Sequence, residues 1–178
     1  SEAANPFGYE TVLYRHIPTG LEYILFKEKL DGNPYHWGTY VLKLGDSSNF
    51  IVEVPMPLSE QNTYEFGSQL FESLNARAIL IVGTHPKANL DGSALLTSSL
   101  NRQSLFNLFH QSLLRHDSDN APFAVQIRGF KPQSNEDAHN VVVAHFEYQK
   151  PAAQNHPGLA ILKQQLRDNG LVLEQADK

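Results

Sequence analysis

The residues best placed to do chemistry follow three strand-like runs, in the segments Val54–Glu60, Gly83–Ala88 and Arg128–Phe130. If the strands before them are parallel, their carboxyl ends meet at one sheet edge, where α/β proteins usually bind ligands. The first segment supplies the carboxylate of Glu60, and the last supplies the guanidinium of Arg128. The sequence therefore predicts a polar site at this edge.

Two histidines and a lysine extend this set of candidates. His85 and Lys87 begin a long polar stretch, Gly83–Leu100, and loops of this length are often lids or binding loops. We expect His85 and Lys87 to bind a ligand together with Glu60 and Arg128. His110 is the other candidate metal ligand, although a lone histidine is more often a hydrogen-bonded structural residue. The remaining histidines are scattered, with no HxxH or HxxxH pair.

Three short motifs resemble a family of hydrolases in order, spacing and flanking residues. They read VPMP at 54–57 followed by Glu60, then GTHP at 83–86, then QIRGF at 126–130. Over roughly residues 37–130 the chain resembles the N-formylglutamate amidohydrolase-like and zinc carboxypeptidase-like hydrolases. In that family the corresponding segments are of the types Val-Pro-His-Pro, then Gly-Ala-His-Arg or Asn-Arg, then His-Gly-Phe. The resemblance implies a three-layer α/β domain with one zinc.

The departures from this pattern fall on the presumed zinc ligands. By resemblance, Met56 and Arg128 stand where the family has histidines, and Pro86 stands where it has a substrate-clamping arginine. A thioether is a poor zinc ligand, and a guanidinium donates hydrogen bonds and repels a cation. Only Glu60 remains of the ligand set. We interpret Met56, Glu60 and Arg128 as the vestige of a metal site, without metal or cofactor, in a pseudo-hydrolase that binds a peptide, an amino-acid polymer or a glycan.

Other interpretations stay open at this point. An active zinc amidohydrolase or peptidase could have rebuilt its site from Glu60, His85 and His110, with Asp91 as a further candidate. The chain could also be a structural module of a longer envelope protein. Met56 could simply fill a gap in the core, and Glu60 could serve only the dipole of the following helix. A sharper expectation is a Glu60–Arg128 ion pair that fills the former metal position.

Composition excludes several classes of protein. The 178 residues carry a net charge of −5 with a pI near 5.9 and no basic run, which argues against nucleic acid as a partner. No apolar run approaches the ~20 residues of a membrane-spanning helix. The chain has no cysteine and starts at Ser1 rather than Met. We interpret this as a start that was processed, excised or left by a tag, and favour the periplasmic or extracellular side of a bacterial envelope over the cytoplasm.

The hydrophobic pattern predicts one α/β domain over residues 1–178, with residues 1–8 as a loose leader. We expect a three-layer sandwich with a mixed, mainly parallel sheet covered by helices on both faces. The expected strands are Leu21–Lys27, Trp37–Leu44, Phe50–Val54, Ala78–Val82, Phe123–Ile127, Val141–Phe146 and Leu171–Leu173. The expected helices are Ser59–Leu74, Arg102–Arg115 and Pro157–Asn169, with Ser59 as an N-cap and Gly170 as a C-terminal stop. A hairpin-like turn is expected at 46–49.

Overall fold

A six-stranded mixed sheet contains most of the described strands. The structure is a computed structural model, and it describes residues 7–31, 35–88, 90, 94–96, 104–115, 122–129, 141–143, 157–171 and 173–175. The chain divides into two compact units, Ser1–Gly129 and Phe130–Lys178. The single domain expected over residues 1–178 stays a prediction.

The first unit contains six strands and two helices among its described residues. In chain order they are β1 (Tyr9–Arg15), β2 (Glu22–Glu28), β3 (Thr39–Lys43), β4 (Ser48–Val54), α1 (Thr63–Ser73), β5 (Ala76–Ile81), α2 (Leu105–Arg115) and β6 (Phe123–Gln126). The strands lie in the order β1-β2-β3-β5-β4-β6. The α/β class and the mixed sheet are therefore confirmed.

The expectation of a mainly parallel sheet is wrong. β1–β2, β2–β3 and β3–β5 pair antiparallel, whereas only β4–β5 and β4–β6 pair parallel. The hairpin expected between β3 and β4 is also absent, because β5 lies between these two strands. The polar residues at 46–49 indicate a turn, but they do not determine which strand the chain pairs with afterwards. The expected coverage of both sheet faces by helices stays a prediction.

Strand β1 is an element that the sequence pattern did not predict. Its first residue, Tyr9, is 1% exposed, and its ring stacks on Tyr40 with centroids 5.9 Å apart. The Tyr9 hydroxyl donates a hydrogen bond to the carbonyl of Gly38 at 2.9 Å. Residues 1–6 of the expected leader lie outside the described residues, but Phe7 packs its ring 6.3 Å from that of Trp37. The first strand is thus anchored through its buried tyrosine.

Helix α1 begins later than expected. Its N-cap is Asn62, which has a left-handed backbone (φ 63°), so the assignment of Ser59 as N-cap is wrong. The amides of Ser59 and Glu60 instead donate to the carbonyl of Met56 at 3.1 and 2.9 Å, which forms a tight turn before the helix. Leu70 and Phe71 are buried on the expected face of the helix. This delayed start leaves Glu60 in the turn at the end of β4.

Helix α2 packs on the sheet through an apolar face, as expected. Leu105 and Phe106 are buried, and the ring of Phe109 lies 4.7 Å from Tyr40 and 4.8 Å from Phe26. The helix begins at Leu105, because the Ser104 hydroxyl accepts a hydrogen bond from the Asn107 amide at 3.2 Å and caps it. This aromatic cluster aligns α2 over the central strands.

The second unit contains β7 (Val141–Val143), α3 (Pro157–Asp168) and β8 (Leu173–Gln175), with β7 and β8 parallel. Leu159, Leu162 and Leu166 are buried on one helix face, as expected. The helix ends at Gly170 (φ 77°), where the amide of Leu171 donates to the carbonyl of Leu166 at 3.1 Å.

None of the described helices has the length and apolar character needed to cross a bilayer.

Candidate functional site at the carboxyl edge of the parallel strands

The convergence of three strand ends at one edge is confirmed. β4 lies between β5 and β6 and runs parallel to both, so the carboxyl ends of all three are neighbours. The ladder continues past the strands, since the amide of Val82 donates to Val54 at 3.1 Å and that of Ile127 donates to Glu53 at 2.8 Å. The turn that holds Glu60 and the segment that holds Arg128 therefore leave the sheet side by side.

Glu60 and Arg128 form the expected ion pair. Nε of Arg128 lies 3.1 Å from Oε1 and 3.3 Å from Oε2 of Glu60, and Nη2 lies 2.9 Å from Oε1. The same Nη2 donates to the sulfur of Met56 at 3.2 Å. The three residues that we interpreted as the vestige of a metal site therefore contact one another directly. That they descend from zinc ligands stays a prediction.

The backbone around Glu60 fixes its carboxylate. The amide of Gly129 donates to Oε2 at 2.7 Å, and the hydroxyl of Thr63 donates to the backbone carbonyl of Glu60 at 2.8 Å. A Cβ atom at Gly129 would lie 2.9 Å from the Cβ of Glu60, so only glycine permits this approach without a shift. The Glu60 side chain is 14% exposed and that of Arg128 is 46% exposed. Glu60 is thus largely covered, while Arg128 presents part of its guanidinium to solvent.

His85 and Lys87 lie beyond the end of β5, but they form their own local contact. Nδ1 of His85 accepts a hydrogen bond from the amide of Lys87 at 3.1 Å, and both residues are exposed. Among the described contacts, no hydrogen bond or ion pair joins either residue to Glu60 or Arg128. Their assignment as ligand-binding residues stays a prediction.

His110 has a partner that the sequence did not reveal. Its Nδ1 atom bonds to Oε1 of Glu53, and Nε2 of Gln126 donates to Oε2 of Glu53 at 3.2 Å. Glu53 is 2% exposed and lies one residue before the carboxyl end of β4. The hydrogen bond to Glu53 raises the pKa of His110 above its usual 6.5, although burial opposes the rise. The signal in the sequence was a single carboxylate within the apolar run FIVEV at 50–54.

The three residues of the rebuilt zinc site each bond elsewhere. Glu60 bonds to Arg128 and Gly129, His85 to Lys87, and His110 to Glu53. Within the part of the chain that the structure describes, no three His, Asp or Glu side chains lie close enough to hold a metal ion. The fourth candidate, Asp91, lies outside the described residues.

Comparisons with protein-family models, with curated proteins and with solved structures each find no match, so the resemblance to zinc amidohydrolases and carboxypeptidases stays a prediction.

Proposed function

We propose that the chain is a non-catalytic binding domain on a zinc amidohydrolase-like or carboxypeptidase-like scaffold, and that its ligand carries a carboxylate. The observation that carries the proposal is the Glu60–Arg128 pair at the carboxyl edge of β4 and β6. The bound molecule would be an acidic peptide, an amino-acid polymer or an acidic glycan. No metal takes part in this proposal.

The hydrogen bonds that Glu60 already accepts support a non-catalytic role. A carboxylate that ligates zinc or activates water needs an oxygen that faces the metal or the water. Both oxygens of Glu60 accept hydrogen bonds instead, from two nitrogens of Arg128 and from the amide of Gly129. A metal ion would have to displace these donors and remain beside a permanent positive charge. The site favours an ion pair over a bound cation.

The exposed side of Arg128 supports recognition of an anion. A guanidinium has five N–H groups, and Arg128 uses those of Nε and Nη2 on Glu60 and Met56. No described residue accepts a hydrogen bond from Nη1 of Arg128. Its two N–H groups can therefore serve a second carboxylate, which guanidinium recognises with directed, charge-assisted bonds. Glu60 would hold the guanidinium in place for that contact.

The contacts of α1 and α2 support the three-layer part of the proposal. The ring of Phe71 on α1 lies 6.2 Å from Tyr23, whereas Phe109 on α2 lies 4.8 Å from Phe26. Tyr23 and Phe26 are three residues apart on β2, and side chains alternate along a strand, so the two rings belong to opposite faces. The chain would then leave the neighbouring strands β4 and β5 towards opposite faces of the sheet. In α/β proteins, ligands usually bind in the crevice between two strands whose connections diverge in this way.

Calorimetric titration with a short oligo-glutamate, and with its oligo-glutamine analogue, tests the proposal. We expect the acidic oligomer alone to bind, and Arg128→Gln should abolish binding. Arg15→Gln is the matched control. Arg15 is also exposed, but it ends β1, the edge strand farthest from β6, at the end of the sheet away from the carboxyl edge of β4. Equal binding by the wild type and Arg128→Gln would contradict the proposal.

The zinc content of protein purified without chelator separates the proposal from the hydrolase alternative. We expect substoichiometric zinc and no chelator-sensitive release of amino acids from acyl or peptide substrates. One zinc per chain, lost on Glu60→Gln together with such an activity, would support the hydrolase instead. The location that we propose, the periplasmic or extracellular side of a bacterial envelope, is based on composition alone.

A further inference from the structure

A buried carboxylate connects helix α2 to two strands of the sheet. Glu53 faces α2 from near the carboxyl end of β4, and it bonds to His110 of the helix and to Gln126 of β6. The side chain of Glu53 is 2% exposed, whereas that of His110 is 31% exposed. Helix α2 otherwise contacts the sheet through apolar and aromatic side chains. Among the described residues of that interface, the Glu53–His110 contact is therefore the one ion pair.

The hydrogen bonds of Glu53 determine which nitrogen of His110 can lose its proton. As long as the Glu53 carboxylate is ionised, it has no proton to donate, so it accepts both from Nε2 of Gln126 and from Nδ1 of His110. Nδ1 of His110 consequently keeps its proton in either charge state, and Nε2 is the nitrogen that titrates. Nδ1 faces the buried carboxylate, and the side chain of His110 is 31% exposed, so water can reach the ring and exchange a proton with it.

Helix α2 in turn holds the end of the segment that follows β5. The carbonyl of Leu96 accepts hydrogen bonds from the Ser104 hydroxyl at 3.0 Å and from Nδ2 of Asn107 at 2.7 Å. Leu96 is 1% exposed in the same core cluster as Phe106. A shift of α2 would therefore also disturb residues 94–96. Farther back, the same segment begins at the edge where His85 and Lys87 lie.

We infer that the Glu53–His110 pair is a protonation-controlled anchor, which holds α2 and residues 94–96 on the sheet tightly when His110 is charged and more weakly when it is neutral. The contact changes from a charge-assisted bond between two ions to a bond between an ion and a neutral ring. Loss of the charge on the ring removes the coulombic attraction between the two groups, whereas the hydrogen bond to the carboxylate stays. The anchor weakens without being broken.

The other groups packed around this contact leave Nε2 of His110 as the controlling site. β4 contributes Glu53, β6 contributes the neutral amide of Gln126, and β5 contributes Leu80 beside Glu53. From β3, Tyr40 stacks on the adjacent Phe109, and burial raises its phenol pKa above the working range. A raised histidine pKa means that the folded state favours the charged form. The added stability is therefore full below the unfolded value near 6.5 and is lost as pH rises through the folded value.

Hydrogen exchange measured from pH 5.5 to pH 9, corrected for the intrinsic exchange rates, tests this inference. We expect protection of residues 105–115 to fall by roughly fivefold over this range, from the loss of the ion-pair attraction in a partly exposed pair. The midpoint should equal the titration midpoint of His110 measured by NMR. Protection of α1 should stay constant. His110→Gln keeps a donor for Glu53 without a titrating group, so its α2 should show no such step.

Three results would overturn the inference. In the first, α1 and α2 lose protection together, which indicates global unfolding. In the second, the step in α2 persists in folded His110→Gln. In the third, the NMR midpoint of His110 in the wild type differs from the exchange midpoint, a comparison that does not need the variant to fold.

Discussion

Arg128 holds the carboxylate of Glu60 through two of its nitrogens, although the two residues are 68 positions apart in the chain. The pair connects the end of β6 to the turn between β4 and α1, and it includes the sulfur of Met56. Met56, Glu60 and Arg128 thus form one contact cluster, and under the proposed resemblance they stand at the positions of two histidines and a carboxylate. Our account of function depends on this cluster.

The ion pair should contribute measurably to stability. A double-mutant cycle with Glu60→Gln and Arg128→Met should give a coupling energy of roughly 1 kcal/mol, because the two-nitrogen geometry raises it towards the upper range for partly exposed pairs. The matched control is the Glu10–Lys27 pair, whose side chains are 43% and 49% exposed and joined at 3.1 Å. Its coupling should be smaller, roughly 0 to 0.5 kcal/mol. Urea denaturation measures both coupling energies. Equal values would contradict the expectation that contact through two nitrogens strengthens the Glu60–Arg128 pair.

The approach of β3 to the end of β5 should not tolerate a side chain at Gly38. A Cβ atom there would lie 1.9 Å from the carbonyl oxygen of Ile81, at a φ of 107°. Gly38→Ala should cost more than about 3 kcal/mol or prevent folding. Gly45→Ala is the control, because Gly45 also has a positive φ but no atom within 4 Å of its Cβ position.

The cost of Gly45→Ala should be about 1 kcal/mol, the ordinary penalty for alanine in the left-handed region. Thermal and urea denaturation of both variants give the comparison. Similar losses of stability for Gly38→Ala and Gly45→Ala would mean that Gly38 is not packed against the end of β5 as described. The position of His85, which follows that end, would then also be in doubt.

Loss of the Glu53 carboxylate should be far more damaging than loss of a surface one. Glu53→Ala leaves the donors of His110 and Gln126 without their acceptor and opens a void in a nearly closed position. We expect a loss of about 2 to 4 kcal/mol in the free energy of unfolding. Glu65→Ala, at an exposed position of α1, should change it by less than about 0.5 kcal/mol. A loss of similar size in both variants would show that Glu53 is not the buried acceptor described.

Local patterns predicted the elements well where one periodicity was clear. The apolar faces of α1, α2 and α3 are those expected, and Gly170 ends α3 because a left-handed residue completes its last hydrogen bonds. The Glu60–Arg128 contact was also predictable. It follows from charge and from the parallel alignment of two strands that both have strong apolar signals.

What the sequence could not supply was the choice of partners. The pairing of β3 with β5 rather than with β4 joins segments that are distant in the chain, and the turn residues at 46–49 contain no information about it. Strand β1 was missed, because half of it is exposed and its apolar residues do not alternate cleanly. Glu53 was overlooked for a related reason, since its partner His110 lies 57 positions away on a helix.

The most direct test of the central claim is zinc binding by the variant Met56→His/Arg128→His. If Met56, Glu60 and Arg128 occupy the positions of former zinc ligands, restoring two imidazoles should create a site with three protein ligands and room for a water. Equilibrium competition with a chelating dye should then give one zinc per chain at roughly micromolar affinity or tighter, lost when Glu60→Gln is added. A folded double variant that binds no zinc, or a wild type that already binds it through Glu60, would contradict the account.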